Sequence, residues 1–394
     1  MPDPEASPGN DFHEYTSTFR ADIQGLRALA VALVILFHAR IPGVHGGFLG
    51  VDVFFVISGF VITGVLLRER SRRGQTSLGD FYSRRIRRIL PMATVVLVAT
   101  IFAVYHWLGF ISGAQNAEDA KWVVLFTANF HFASLGTQYF GSLQPPSAFQ
   151  QYWSLAVEEQ FYLVWPALFL ALVATFRTID YRKKLIGALS AIILASVVWC
   201  IVETGQNQSW AFFSPLTRAW ELALGALLAT IAPVLRDRAP RTGLVLKAVG
   251  LAGILLSTWF YTSQTDWPGS AVIVPVVATG MIIAGGTMRE SLGSGRTVSS
   301  FPVQWVGNAS YSLYLVHWPI LIIATEYALN PLPLSSEVAL VALSVVVSAC
   351  TYYLIERPVR NATRLIQSRR LVFGMGVALI GISYVVIYWH LHHY

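Results

Sequence analysis

Two apolar stretches joined by a short Gly/Pro-rich turn, Pro42 to Gly50, carry the first residues whose types invite chemistry. In FRADIQGLRALAVALVILFHA (19–39), Arg27 stands at one end of an aliphatic run and His38 near the other. On a helix that eleven-residue separation is roughly 16 Å, about half a bilayer core. Asp52, in GVDVFFVISGFVIT (50–63), lies a few residues into the second stretch, and the short turn predicts that it sits level with His38. An imidazole can serve as general base or transient nucleophile, and a carboxylate beside it can orient the ring and stabilise its charged form. The plainer reading is that Arg27 snorkels to the headgroups and His38 faces interfacial water. Ionisable side chains inside spans are costly, which points to function.

Further groups follow. FYSRRIRRILP (81–91) sets Arg84, Arg85, Arg87 and Arg88 before a span expected to open at Pro91. Arg84 with Arg88, and Arg85 with Arg88, share helix faces, and paired guanidinium groups grip phosphate oxygens. A topology anchor is the plain alternative. In QYWSLAVEEQFYLVWP (151–166), Ser154 is expected to cap a helix whose one face carries Ser154, Glu158 and Tyr162. Glu158 and Glu159 are adjacent, so at most one is expected along that face; a helix start that favours acids is the alternative. In VGNASYSLYLVHWP (306–319), Ser310, Tyr314 and His317 share a face, although a buried, hydrogen-bonded histidine needs no catalytic role. Arg218 and Glu221, spaced i,i+3, read as a structural ion pair, and Glu356 as a partner for nearby arginines. No Walker motif, GxGxxG, GxSxG, HExxH or paired CxxC is present, so ATP, nicotinamide and zinc chemistry lack support and no metal is expected.

The elements that must position these groups are membrane helices. Of 394 residues, 55% are hydrophobic and 12% charged, and the mean hydropathy is +0.55, far from any ordinary soluble domain. The net charge of +7 resides in loops between spans, where topology places it, rather than in a nucleic-acid surface. Cys200 and Cys350 lie in apolar spans and read as packing residues. Residues 1–18 are polar and unpatterned and are expected to form a disordered tail; no signal-peptide core is visible in them. Apolar spans are expected at 24–41, 48–68, 90–108, 155–177, 184–202, 212–235, 244–261, 270–288, 305–327, 335–355 and 371–389. A shorter stretch, 121–135, is interrupted by Asn129 and His131. The basic loops 68–90, 177–184, 236–241, 289–296 and 356–370 all fall on the cytoplasmic side only if 121–135 does not cross. That stretch is then re-entrant or interfacial. The fold expected is an all-α bundle of about eleven spans, N-terminus inside and C-terminus outside, with Arg27 toward the cytoplasm and His38, Asp52 and Glu158 toward the exterior.

The run of motifs FRADIQGLRALAVALVILFHA, GVDVFFVISGFVIT, FYSRRIRRILP, WSLAVEEQFYLVWP, RAWELALGALLA, NASYSLYLVHWP and YYLIERP resembles, in order, the acyltransferase 3 family of integral-membrane O-acyltransferases. The resemblance implies transfer of an acetyl or similar short acyl group from cytoplasmic acyl-CoA to a hydroxyl of an extracytoplasmic envelope glycan, a glycolipid or a glycosylated small molecule. It places the family's essential Arg-x10-His pair on Arg27 and His38 and its donor-binding Arg-x-x-Arg pair on Arg85 and Arg88. His38, Asp52 and Glu158 become the expected catalytic residues. Arg27, Arg85, Arg88, Tyr314 and His317 become the expected donor-binding set, with acyl-CoA as donor and no metal. The domain expected is 19–360, followed by a linker and an additional span over 361–394. The opening DIQGLRALAV and the eleventh span resemble the branch fused to an SGNH hydrolase-like domain, which these 394 residues do not include and which is the expected partner. A secondary transporter or flippase is the rival class; paired repeats with broken helices, common in transporters, are not visible.

Overall fold

The computed structural model describes residues 20–140, 145–175, 180–288 and 298–393; the tail expected over 1–18 lies outside them. The described residues form an all-α polytopic bundle without strands. In chain order the helices are α1 (Ala21–His38), α2 (Gly50–Arg73), α3 (Leu78–Val124), α4 (Ala128–Ser134), α5 (Tyr152–Ala174), α6 (Tyr181–Gln206), α7 (Gln208–Phe213) and α8 (Pro215–Arg236). They continue with α9 (Pro240–Phe260), α10 (Ile273–Thr287), α11 (Phe301–Ala328), α12 (Leu334–Thr351), α13 (Arg357–Asn361), α14 (Thr363–Gln367) and α15 (Arg369–His393). A π-helical turn, Tyr352–Glu356, joins α12 to α13.

Eleven of these helices occupy the eleven stretches expected to span, and nine helical stretches among the described residues are long and apolar enough to cross a membrane. α10 has 15 residues and is shorter. α11 is not among the nine, and it is the helix that carries Ser310, Tyr314 and His317. Sequence chemistry sets the ends of several helices. Gly74, at φ 69°, stops α2, and the Ser77 side chain accepts from the Asp80 N–H to start α3. Ser214 caps α8, with Pro215 at its first position.

One sequence expectation changes here. The arginine run does not precede the third span; it lies on the same helix, because α3 is already under way from Leu78 and continues through Pro91. The proline removes one backbone donor, but the turns before it are capped and complete. The stretch 121–135 forms no crossing helix. α3 breaks at Gly109 (φ 79°, ψ −173°) and folds back on itself, bringing Gly113 against the Tyr105 ring. Val123, Val124 and Phe126 thereby reach the level of Leu90, Thr94 and Leu97. The returning chain turns at 125–127 and leaves through the seven-residue α4. Irregular backbone at that depth must be bonded internally. Gln160 on α5 does this, its Nε2 donating to the Phe126 carbonyl at 2.9 Å and to Asn129 Oδ1 at 2.8 Å, while Asn129 Nδ2 donates to the Phe213 carbonyl at 3.2 Å.

Among the described glycines, those that approach another helix's backbone most closely lie between α2 and α8. A Cβ at Gly59 would fall 1.8 Å from the Leu222 carbonyl oxygen, and one at Gly225 would fall 1.9 Å from that of Val56. Small residues let helices in lipid approach this closely, where dispersion replaces the hydrophobic drive. Gly225→Val should therefore part the two helices, at a cost of about 3 kcal/mol or more. The expected result is a large drop in melting temperature in detergent. Gly187→Val, where a Cβ meets nothing within 4 Å, should leave it unchanged.

Candidate active site

The site is assembled on α11, and Pro319 begins it. Lacking an N–H, Pro319 leaves the Leu315 carbonyl without its helical donor, and Gln151 Nε2 at the head of α5 supplies one at 3.3 Å. The Gln151 carbonyl in turn accepts from the Tyr314 hydroxyl at 3.1 Å, and Ser154 Oγ lies 2.6 Å from that same hydroxyl. Ser154 is thus not the cap expected from sequence. α5 starts two residues before it at Tyr152, with no side-chain cap, and the serine bonds across to α11 instead.

Below this seam lies a cavity between α1, α2, α3, α5 and α11. Its walls include Arg27, Arg85 and Arg88, and Ser58, Glu158, Glu159, Ser310 and Tyr314. Arg27 donates to Ser310 Oγ from Nε at 3.2 Å and from Nη2 at 2.7 Å. The four clustered arginines divide. Arg85 and Arg88 line the cavity, the Arg85 guanidinium lying 4.3 Å over the Tyr162 ring. Arg84 instead pairs with Glu69 at 3.0 Å, and Arg87 donates to the Arg360 carbonyl at 3.0 Å. Glu158 accepts from Ser58 and Tyr162. Glu159 also lines the cavity. Glu356, in the π-helical turn, accepts from Ser312 Oγ at 2.7 Å and lies 3.5 Å from Arg360.

One turn above Tyr314 is the second centre. His38, the last residue of α1, places Nδ1 3.0 Å from His317 Nε2, with the rings stacked at 5.3 Å and 12°. Its Nε2 is 2.9 Å from the hydroxyl of Tyr139, and the Trp318 ring packs edge-on at 4.5 Å. His317 is fully buried and its Nδ1 lies 3.0 Å from the Leu313 carbonyl. Of the residues expected at the donor site, Tyr314 therefore lines the cavity while His317 bonds to His38.

Asp52 is elsewhere, and the expectation that it or Glu158 orients the imidazole is corrected. Both ring nitrogens of His38 are engaged by His317 and Tyr139. Asp52 is also deeper than predicted. The chain turns back down through Gly47–Leu49 before α2 begins, so that Gly50 already packs on Ala30 and Val34. Asp52 thus lies near Ala30, roughly 10 Å of helix rise below His38. There it meets Arg218 Nη1 at 2.6 Å, and the same nitrogen lies 3.1 Å from Glu221 Oε1. All three are at most 1% exposed, and the guanidinium lies over the rings of Trp153 and Phe212 at 5.6 and 5.3 Å. The Arg218–Glu221 pair read from spacing is present, with a third member that spacing could not show.

Sequence reasoning missed Tyr139 and Ser58. Tyr139 lies in an irregular segment between α4 and α5 where no periodicity marks it; it stacks on Phe212 at 4.4 Å. Ser58 is a lone hydroxyl in an apolar span, a weak signal that was present. Among the described residues, no cluster of three His, Cys, Asp or Glu is placed to hold a metal ion.

The model of a family described as an acyltransferase domain matches residues 20–353. Among curated proteins, the chain is 31% identical over 351 residues to the putative peptidoglycan O-acetyltransferase YrhL of Bacillus subtilis, covering 86% of this chain and 54% of that protein. It is 31% identical over 357 residues to peptidoglycan O-acetyltransferase OatA of Listeria monocytogenes, covering 88% and 57%. With O-acetyltransferase OatA of Staphylococcus aureus the figures are 31% over 365 residues, 88% and 58%. The chain spans a little over half the length of these relatives. No solved structure matches it with significance.

The buried cluster makes an asymmetric prediction. Arg218→Leu leaves two carboxylates in a dry interior without a counter-charge, a loss of about 3–5 kcal/mol. Asp52→Asn leaves one guanidinium facing one carboxylate and should be much milder. Melting of the purified variants in detergent should rank Arg218→Leu far below Asp52→Asn; equal melting temperatures would contradict this account of the cluster.

Proposed function

The chain belongs to the acyltransferase family whose model covers residues 20–353, and on that premise we propose that it moves a short acyl group, acetyl foremost, from cytoplasmic acyl-CoA to a hydroxyl of an extracytoplasmic envelope glycan. The observation that carries the reading is the stacking of two centres: an arginine-lined cavity that ends one helical turn below an imidazole pair. The names of the relatives make peptidoglycan the first acceptor to test. The basic loops favour an inner-membrane orientation in which the α3 arginines face the cytoplasm, where CoA is, and His38 lies toward the exterior.

In this reading Arg85 and Arg88 take CoA phosphates, since planar guanidinium groups bind them bidentately. Arg27, held by Ser310, stands farther along the path of the pantetheine arm and can stabilise charge on the thioester. Glu158 and Glu159 balance the three arginines when donor is absent. His38 Nε2 takes the proton of the acceptor hydroxyl, whose place at 2.9 Å is marked by the Tyr139 hydroxyl. The oxygen bonds to the acyl carbon, the C–S bond breaks, and the proton passes from the imidazolium to the CoA thiolate. A variant route acylates His38 first.

Purified protein in nanodiscs with acetyl-CoA and peptidoglycan fragments should release CoA and form acetyl esters. His38→Ala should lower that rate by about 10²–10⁴-fold with the donor still bound. Arg85→Lys and Arg88→Lys keep the charge but lose the fork; each should weaken CoA binding by more than about tenfold. A transporter would release no CoA, and a His38→Ala protein turning over at the wild-type rate would end this reading.

A further inference from the structure

The hydrogen bonds around His38 run in one direction, and that direction settles which nitrogen is the base. The Leu313 carbonyl can only accept, so the proton between it and His317 sits on His317 Nδ1. A neutral imidazole with its proton on Nδ1 offers a lone pair at Nε2. His38 Nδ1 lies 3.0 Å from that lone pair and must bring the proton to the contact. The remaining nitrogen, His38 Nε2, is then an acceptor, and the Tyr139 hydroxyl at 2.9 Å is the donor it receives. The helix fixes the start of the chain, because Leu313 lies four residues before His317 on α11 and its carbonyl points up the same face.

We propose that His317 is a positioning residue that holds His38 as its Nδ1–H tautomer, leaving Nε2 as the basic atom. This rests on the acyl-transfer reading above. The position is one that hydrolytic triads give to a carboxylate. Here it is filled by a second imidazole, with consequences for the proton. When Nε2 accepts a proton, His38 can pass its Nδ1 proton to His317 Nε2, and the added charge is spread over two rings with no proton gained or lost. The groups that face the pair are few: Tyr139 from the α4–α5 segment, Tyr314 on α11 with its ring 5.7 Å from that of His317, and the neutral Trp318. Among the described residues, no carboxylate bonds to either imidazole, Asp52 being engaged with Arg218 and Glu158 with Ser58 and Tyr162. Burial of His317 and the edge of Trp318 restrain the pair from leaving this geometry.

Three measurements test it. His317→Leu removes the acceptor and should lower kcat by at least about 10²-fold with little change in the KM for acetyl-CoA. His317→Gln places an amide oxygen that can accept the Nδ1 proton but cannot take it up. It should recover at least about tenfold of the loss, and the acid limb of its kcat profile should move to lower pH, because the imidazolium of His38 has lost the ring that shared its charge. Wild-type kcat in His317→Leu, or equal loss in both folded variants with an unmoved acid limb, would overturn the proposal. The third measurement is independent of variant folding and of any acyl chemistry. In wild-type protein with ¹⁵N-labelled histidine, the resonances of His38 and His317, placed by coupling between the two rings, should both show protonated Nδ1 and unprotonated Nε2. An Nε2–H form of His38 would refute the assignment even if acyl transfer is established.

Discussion

Two polar contacts between α1 and α11 fix the distance over which everything else operates. Arg27 bonds to Ser310 at one end, and His38 bonds to His317 at the other. Along α1 these contacts are eleven residues apart, roughly 16 Å; along α11 they are seven apart, roughly 10 Å. The difference of about 6 Å is within the reach of an arginine side chain. A lysine could reach as far but would offer a point charge in place of the two donors that hold Ser310. Each contact also satisfies polar atoms that would otherwise meet hydrocarbon, so the pair of helices is registered by the polar groups of the candidate site.

The buried carboxylates are sorted by the same need for internal partners. Asp52 and Glu221 share Arg218 in a dry cluster; Glu158 and Glu159 face Arg27, Arg85 and Arg88 across a cavity. The first cluster has one guanidinium and two carboxyl groups, all fully buried, and it ties α2 to α8 where their backbones already touch at Gly59 and Gly225. The second has space beside it and an excess of positive charge, an arrangement suited to receiving an anion. Burial separates the two uses. A charge with every direction filled by protein holds helices together, and a charge left facing a void is available to a ligand.

Much of this was legible in the sequence, for reasons that can be named. Helix periodicity put Ser310, Tyr314 and His317 on one face, and they do lie along one seam of α11. Loop charges required 121–135 not to cross, and Gly109 supplies the fold-back that keeps it from crossing. The depth of Asp52 was not legible, because it depends on where the chain turns inside Pro42–Gly50, and a single-turn 3₁₀ segment settles that by packing. Nor was Tyr139, since a residue in an irregular segment is placed by what it packs on, here Phe212. The split among the arginines was half visible: i,i+3 spacing pairs Arg85 with Arg88, but only the position of Glu69 and the Arg360 carbonyl shows what draws Arg84 and Arg87 away.

Tyr314 occupies the boundary between the two centres. It lines the arginine cavity, its hydroxyl is bonded to both Ser154 and the Gln151 carbonyl, and its ring lies against His317. On the proposed function, an acyl group arriving from the cavity meets this ring before it meets His38. Moving it aside costs the net value of two neutral hydrogen bonds, about 1–3 kcal/mol, unless the thioester carbonyl replaces the partners lost. Two or three guanidinium–phosphate contacts at the other end of the donor contribute more than that. On that function, donor binding at the arginines offsets the cost of moving Tyr314 away from Ser154 and Gln151. The arginine cavity and the imidazole pair thus lie within one helical turn of each other, with Tyr314 between them.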